Sequence, residues 1–74
     1  MTAQEFLLEM DDILELPAGT LAGPEGLDTL AQWNSSAMIS FIALADTHGA
    51  RVAVRQVAGC ATVADLMRLA GVRE

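Results

Sequence analysis

Three small polar residues, Asn34, Ser35 and Ser36, stand between Trp33 and the apolar run ISFIALA. An asparagine followed by two serines, placed where a hydrophobic helix begins, has two chemical readings. The first is local: a short polar side chain accepts a hydrogen bond from an unpaired first-turn amide, which makes Asn and Ser favoured caps. The second is display: a serine hydroxyl held at a helix N-terminus can be esterified by a partner enzyme. The free amides and the positive end of the helix dipole favour the phosphate that such an ester adds. Residue types leave both open. The rest of the chain offers little competing chemistry. There is no CxxC, HExxH or Walker-type glycine loop, so no metal or nucleotide site is expected. Cys60 is the only cysteine and has no neighbour in sequence that would activate a thiolate. His48 has no evident nucleophile or orienting acid. Both are expected to be structural, and no catalytic residue is expected.

The elements that must position the serines follow from periodicity. Thr2 and Glu5 have the spacing of a capping box, and Phe6, Leu7, Met10, Ile13 and Leu14 then recur on one helical stripe. A helix is predicted over residues 2–15, ended by Pro17, with Glu9, Asp11, Asp12 and Glu15 on its solvated side. Four acids near a helix C-terminus oppose its dipole, which raises a steering role for them. The stretch LPAGTLAGPEG reads as a long connection, pinned to the core by Leu16, Leu21, Leu27 and Leu30, with a brief turn at Asp28 and Thr29. The second helix is predicted from Asn34 or Ser35 to about Thr47, stopped by Gly49. Met38, Ile39, Phe41, Ile42 and Ala45 are expected to face the core, with Ser36, Ala37, Ser40 and Leu44 outward and Leu44 as a docking contact. Trp33 is read as a core anchor over the helix start. RVAV reads as extended, RQVAG as one helical turn, and Thr62 with Asp65 as the acidic capping box of a last helix that ends at Gly71.

Size and charge bound the function. A single domain spanning residues 1–74 buries a thin core, with little scaffold for a walled catalytic pocket. The chain is read as no enzyme in its own right. Ten acidic residues against four arginines give a net charge of −6. Phosphate backbones and anionic membranes repel such a surface, and a basic protein surface is its expected counterpart. No signal-type start appears and no apolar run reaches the length of a membrane span. A monomeric, cytoplasmic protein is expected.

The order helix, long loop, helix, short piece, helix, with serine opening the second long helix, resembles the acyl carrier protein family. The stretch LDTLAQWNSSAMISFIALAD and the later CATVADLMRL carry the resemblance, which covers nearly the whole chain. It implies an all-α, carrier-like bundle of three main helices and one short helix, with the long loop between helices one and two. It also implies that Ser35 stands at the motif serine, Asn34 at the motif aspartate and Ser36 at the motif leucine. Ser35 would then carry covalent 4′-phosphopantetheine, attached by a phosphopantetheinyl transferase, with Ser36 the lesser candidate. Loading by ligase, synthase or transferase enzymes would place an acyl or aminoacyl group on the arm, in polyketide or nonribosomal-type biosynthesis. Asn34 lacks the aspartate charge and Ser36 lacks the apolar side chain. The alternative is therefore an unmodified helical adaptor that keeps the carrier fold.

Overall fold

The computed structural model describes residues 1–72, and these form four helices joined without strands. They are α1 (Ala3–Ile13), α2 (Ser35–Thr47), α3 (Val54–Ala58) and α4 (Val63–Leu69), with a 3-10 turn at Leu27–Thr29 in the long loop. No helix among the described residues is long and apolar enough to cross a membrane. Thr2 caps α1 as predicted: its hydroxyl accepts from the Glu5 amide at 3.1 Å, and the Glu5 carboxylate accepts from the Thr2 amide at 2.8 Å. Thr62 and Asp65 repeat the device at α4.

Three helices end in one way. In α1, α2 and α4 the C′ residue takes a left-handed conformation, and the next amide reaches back to the carbonyl five residues before it: Leu16 to Asp11, Ala50 to Ala45 and Val72 to Met67. This is the Schellman arrangement, and Gly49 and Gly71 suit it because they have no Cβ. In α1 the position belongs to Glu15, at φ 58°. The helix stops at Ile13 through this turn, before Pro17 could act on it. RVAV is extended only through Ala53, since Val54 already begins α3.

The core gathers around Phe6 and Phe41, whose rings meet edge to face at 6.1 Å and 87°. Met10, Leu14, Val57, Val63 and Leu66 close around them. Edge-to-face pairing adds about 0.5–1.5 kcal/mol beyond the area that the rings bury. On α2 the buried residues are Ala37, Phe41 and Ala45. This corrects the expected phase of the helix. Ala37 is core rather than outward, Leu44 is half-buried, and Ile39 is 65% exposed. Ile42 and Trp33 are half-buried against the core rather than enclosed by it. Two small alanines stand one turn either side of Phe41 on the buried face of α2, so residue size does not mark that face.

The loop between α1 and α2 is fastened by two carboxylates and a backbone bridge. Asp11, 1% exposed, accepts from the Gly19 amide at 2.9 Å and the Leu21 amide at 3.0 Å. It was expected on the solvated side of α1 and instead faces the loop. Glu25 accepts from the amides of Ala22 and Gly23, both at 2.8 Å. Gly26 pairs antiparallel with Thr62, and the carbonyls of Gly23 and Glu25 accept from the Ala64 and Val63 amides at the start of α4. Leu21 and Leu27 are thereby held in the core, with Leu16 and Leu30 packed against it, as the leucine spacing predicted.

Removing the Asp11 carboxylate would leave two loop amides without partners. Hydrogen bonds to charged groups contribute about 1.5–3 kcal/mol each, so Asp11→Ala is expected to cost about 2–4 kcal/mol in urea unfolding. Asp11→Asn, which keeps one carbonyl oxygen, should cost less. A loss in Asp11→Ala no larger than that of an exposed acid such as Glu9→Ala would show that the pin contributes nothing.

Candidate functional site

Asn34 is extended, at φ −146° and ψ −174°, and its Oδ1 accepts from the Ala37 amide at 3.0 Å. Its carbonyl accepts from Met38 at 2.9 Å and begins the helical ladder. Asn34 is therefore the N-cap and Ser35 the first helical residue. The capping task falls to the asparagine, which leaves both serine hydroxyls exposed and spare. The amides of Ser35 and Ser36 lie in the first turn, where no preceding carbonyl can pair with them. Trp33 and Met38 occupy the positions just before the cap and at the fourth helical residue, and both are half-buried against the core. In that pattern the two side chains fix the angle at which the chain enters the helix.

The two serines have different surroundings. Ser36 lines an open cleft of ≈ 390 Å³ together with Ala37 and Ser40 of α2, Ile13, Leu14 and Glu15 from the end of α1, and Ala31, Gln32 and Asn34. Ser35 is not among the lining residues. At about 100° per residue it falls on the other flank of α2, in line with Ile39 one turn on. The serine expected to carry the arm thus stands clear of the cleft, beside the most exposed large apolar side chain in the described chain.

Several groups elsewhere in the chain answer the chemistry weighed from sequence. Cys60 is half-buried, its thiol donates to the Gln56 carbonyl at 3.4 Å, and burial together with the nearby Asp65 raises its pKa. That suits a structural thiol and opposes thiolate chemistry. Three carboxylates that hold backbone amides are lowered, Glu5 first by the Thr2 amide it caps. Glu25 is raised by burial, but the amides of Ala22 and Gly23 outweigh this. Asp65 is lowered first by the amides of Ala61 and Thr62, with Arg68 adding to it. His48 caps the C-terminus of α2. Among the described residues no three metal-ligating side chains converge.

Two residues at the site escaped the sequence reading. Ile39 was assigned to the core, and Glu15 was read as a solvated acid of α1. Glu15 is solvent-exposed as read, but at the left-handed end of α1 it stands with Asn34 and Ser36 among the residues lining the cleft. A left-handed glutamate leaves no signal in composition or periodicity. Comparison with known protein families, with curated proteins and with solved structures found no match.

Glu15 holds a backbone conformation that disfavours a side chain by about 1–2 kcal/mol. Replacing it by glycine removes that strain but adds about 0.5–1 kcal/mol of unfolded-chain entropy. Glu15→Gly is therefore expected to raise stability by about 0.5–1 kcal/mol, read as a higher urea midpoint at unchanged slope. A lower midpoint would mean that the glutamate side chain makes a stabilising contact that outweighs the strain.

Proposed function

We propose that this protein is a carrier whose Ser35 holds a 4′-phosphopantetheine arm. The observation that carries the reading is the division of labour at the start of α2: Asn34 makes the cap, and Ser35 follows it with an exposed hydroxyl at the first helical position. The site fits the group. A phosphodiester on Ser35 would meet first-turn amides without helical partners and the positive end of a 13-residue helix. When bound, the arm would supply the thiol on which an acyl or aminoacyl group travels as a thioester. The chain's own part is to hold Ser35 outward, to offer amides to the phosphate, and to present Ile39 one turn away as an apolar contact for enzymes that reach the serine. Those enzymes are a phosphopantetheinyl transferase and the ligases, synthases or transferases that load and unload the arm. The element order supports a carrier domain, which we place in cytoplasmic, specialised biosynthesis.

A second reading, an unmodified adaptor, is favoured by one specific observation. Asn34 carries no charge, and its oxygen is already engaged with the Ala37 amide. A transferase that depends on a carboxylate beside the serine would find none at that position.

Intact-mass spectrometry separates the two. After incubation with coenzyme A, magnesium and a broad-specificity phosphopantetheinyl transferase, the wild-type chain is expected to gain one phosphopantetheine. Ser35→Ala should abolish the gain, Ser36→Ala should keep it, and Asn34→Asp should take up the group faster. A gain that survives Ser35→Ala but not Ser36→Ala would move the site by one residue. No gain with several transferases would replace the carrier by the adaptor.

A further inference from the structure

Leu8 stands on the outer side of α1 and is 42% exposed. At about 100° per residue it points away from Phe6, whose ring meets Phe41 of α2, and away from Met10, which is also buried. It therefore faces away from α2 and from Ser35. Beside it lies an open groove of ≈ 380 Å³ between the end of α1 and the loop, lined by Leu8, Leu16 and Ala18 with Asp11 and Asp12. Asp11 gives both its oxygens to loop amides, whereas Asp12 is exposed. Glu5 and Asp12 come one turn before and one turn after Leu8, and exposed Glu9 adjoins it. No lysine or arginine precedes Arg51. Among the described residues the one ion pair is Arg68 with Asp65, so the carboxylates around Leu8 have no ion-pair partner there. The groove also lies at the C-terminal end of α1, where the helix dipole adds to the negative potential and the last turn holds no basic residue.

We propose that this groove docks a basic segment of a partner protein, with an apolar side chain seated on Leu8 and Leu16 between lysines or arginines that meet Glu9 and Asp12. The chemistry of the occupant follows from what surrounds the apolar floor. Acids at a helix C-terminus oppose the dipole, and a cation set against them relieves both charges at once. A second copy of the chain would bring the same acids against these and be repelled, as would an anionic membrane. An apolar centre ringed by charge divides the work of an interface, with affinity from the centre and orientation from the ring. Because the groove and Ser35 lie on different sides of the molecule, a segment docked here leaves the serine reachable. The surface would tether the chain to its partner, and this role does not depend on modification of Ser35.

Three peptides test it. One is a helical peptide with a leucine face flanked by lysines, the second carries Glu in place of Lys, and the third is a scramble of the first that keeps its charge but has no apolar face. Each is titrated at physiological salt into the 15N-labelled full-length chain while backbone amide shifts are followed. The Lys peptide is expected to shift the amides of Leu8, Asp12, Leu16 and Ala18, and the Glu peptide and the scramble to shift them far less. Glu9→Gln with Asp12→Asn should weaken its binding about 3- to 10-fold, as the loss of two exposed ion pairs would. Leu8→Ser should weaken it too, in a chain whose circular dichroism is unchanged, and should leave the salt dependence of binding as it was. If the scramble binds as well as the Lys peptide, the acids act only as a diffuse field and the inference is overturned. Shifts confined to other residues, equal binding of the Glu peptide, or a free chain that dimerises through Leu8 would overturn it as well.

Discussion

A single buried carboxylate holds this small protein in register. Asp11 lies inside, on a helix whose other acids meet water, and both its oxygens are taken by loop amides eight and ten residues further along the chain. Such a group is costly to bury unless its hydrogen bonds are made, so its presence fixes the loop as firmly as the loop satisfies it. From that point the remaining fastenings follow in chain order. Leu21 enters the core, Glu25 gathers the amides of Ala22 and Gly23, and Gly26 pairs with Thr62 at the start of α4. The loop then passes through its 3-10 turn to Trp33 and delivers Asn34 to the mouth of α2.

The candidate site inherits its geometry from this path. The cap, the first turn of α2 and the left-handed Glu15 at the end of α1 meet at one open cleft, yet the cleft takes Ser36 and leaves Ser35 on the other flank. Two adjacent serines of the same chemistry are thereby given different surroundings by the helix period alone. A partner that approaches Ser35 meets Ile39 before it meets any carboxylate of α2, whose one acid, Asp46, lies near the far end. Net charge describes the molecule seen from afar, and the α2 surface describes it at contact.

Much of this was legible in the sequence wherever a local rule governs. The capping boxes at Thr2 and Thr62, the Asn34 start, the glycine stops at Gly49 and Gly71 and the pinned leucines of the loop each depend on a few neighbouring residues, and each was read from them. What escaped depends on tertiary contact. Helix α2 is apolar nearly all round, so no charged stripe marks its wet side, and the larger aliphatic Ile39 was taken for core in place of Ala37. Asp11 looks like its neighbours Glu9 and Asp12 until the loop folds over it. Glu15 occupies a position that sequence statistics reserve for glycine. For Ile39 and Asp11 the deciding partner lies on another element, beyond the reach of any window along the chain, while at Glu15 the turn is closed by local bonds that the side chain's identity hides.

The dependence of the loop on Asp11 is most directly tested by native-state hydrogen exchange at the Leu21 amide. This amide sits in a segment with no helical ladder and donates to Asp11 Oδ1 at 3.0 Å. If the buried carboxylate governs the fold, Leu21 exchanges only with global opening, at the free energy of core amides in α2 such as Phe41. Exchange at Leu21 through a local opening several kcal/mol below that of Phe41 would contradict the account and reduce Asp11 to a bystander of a loop held by its leucines alone.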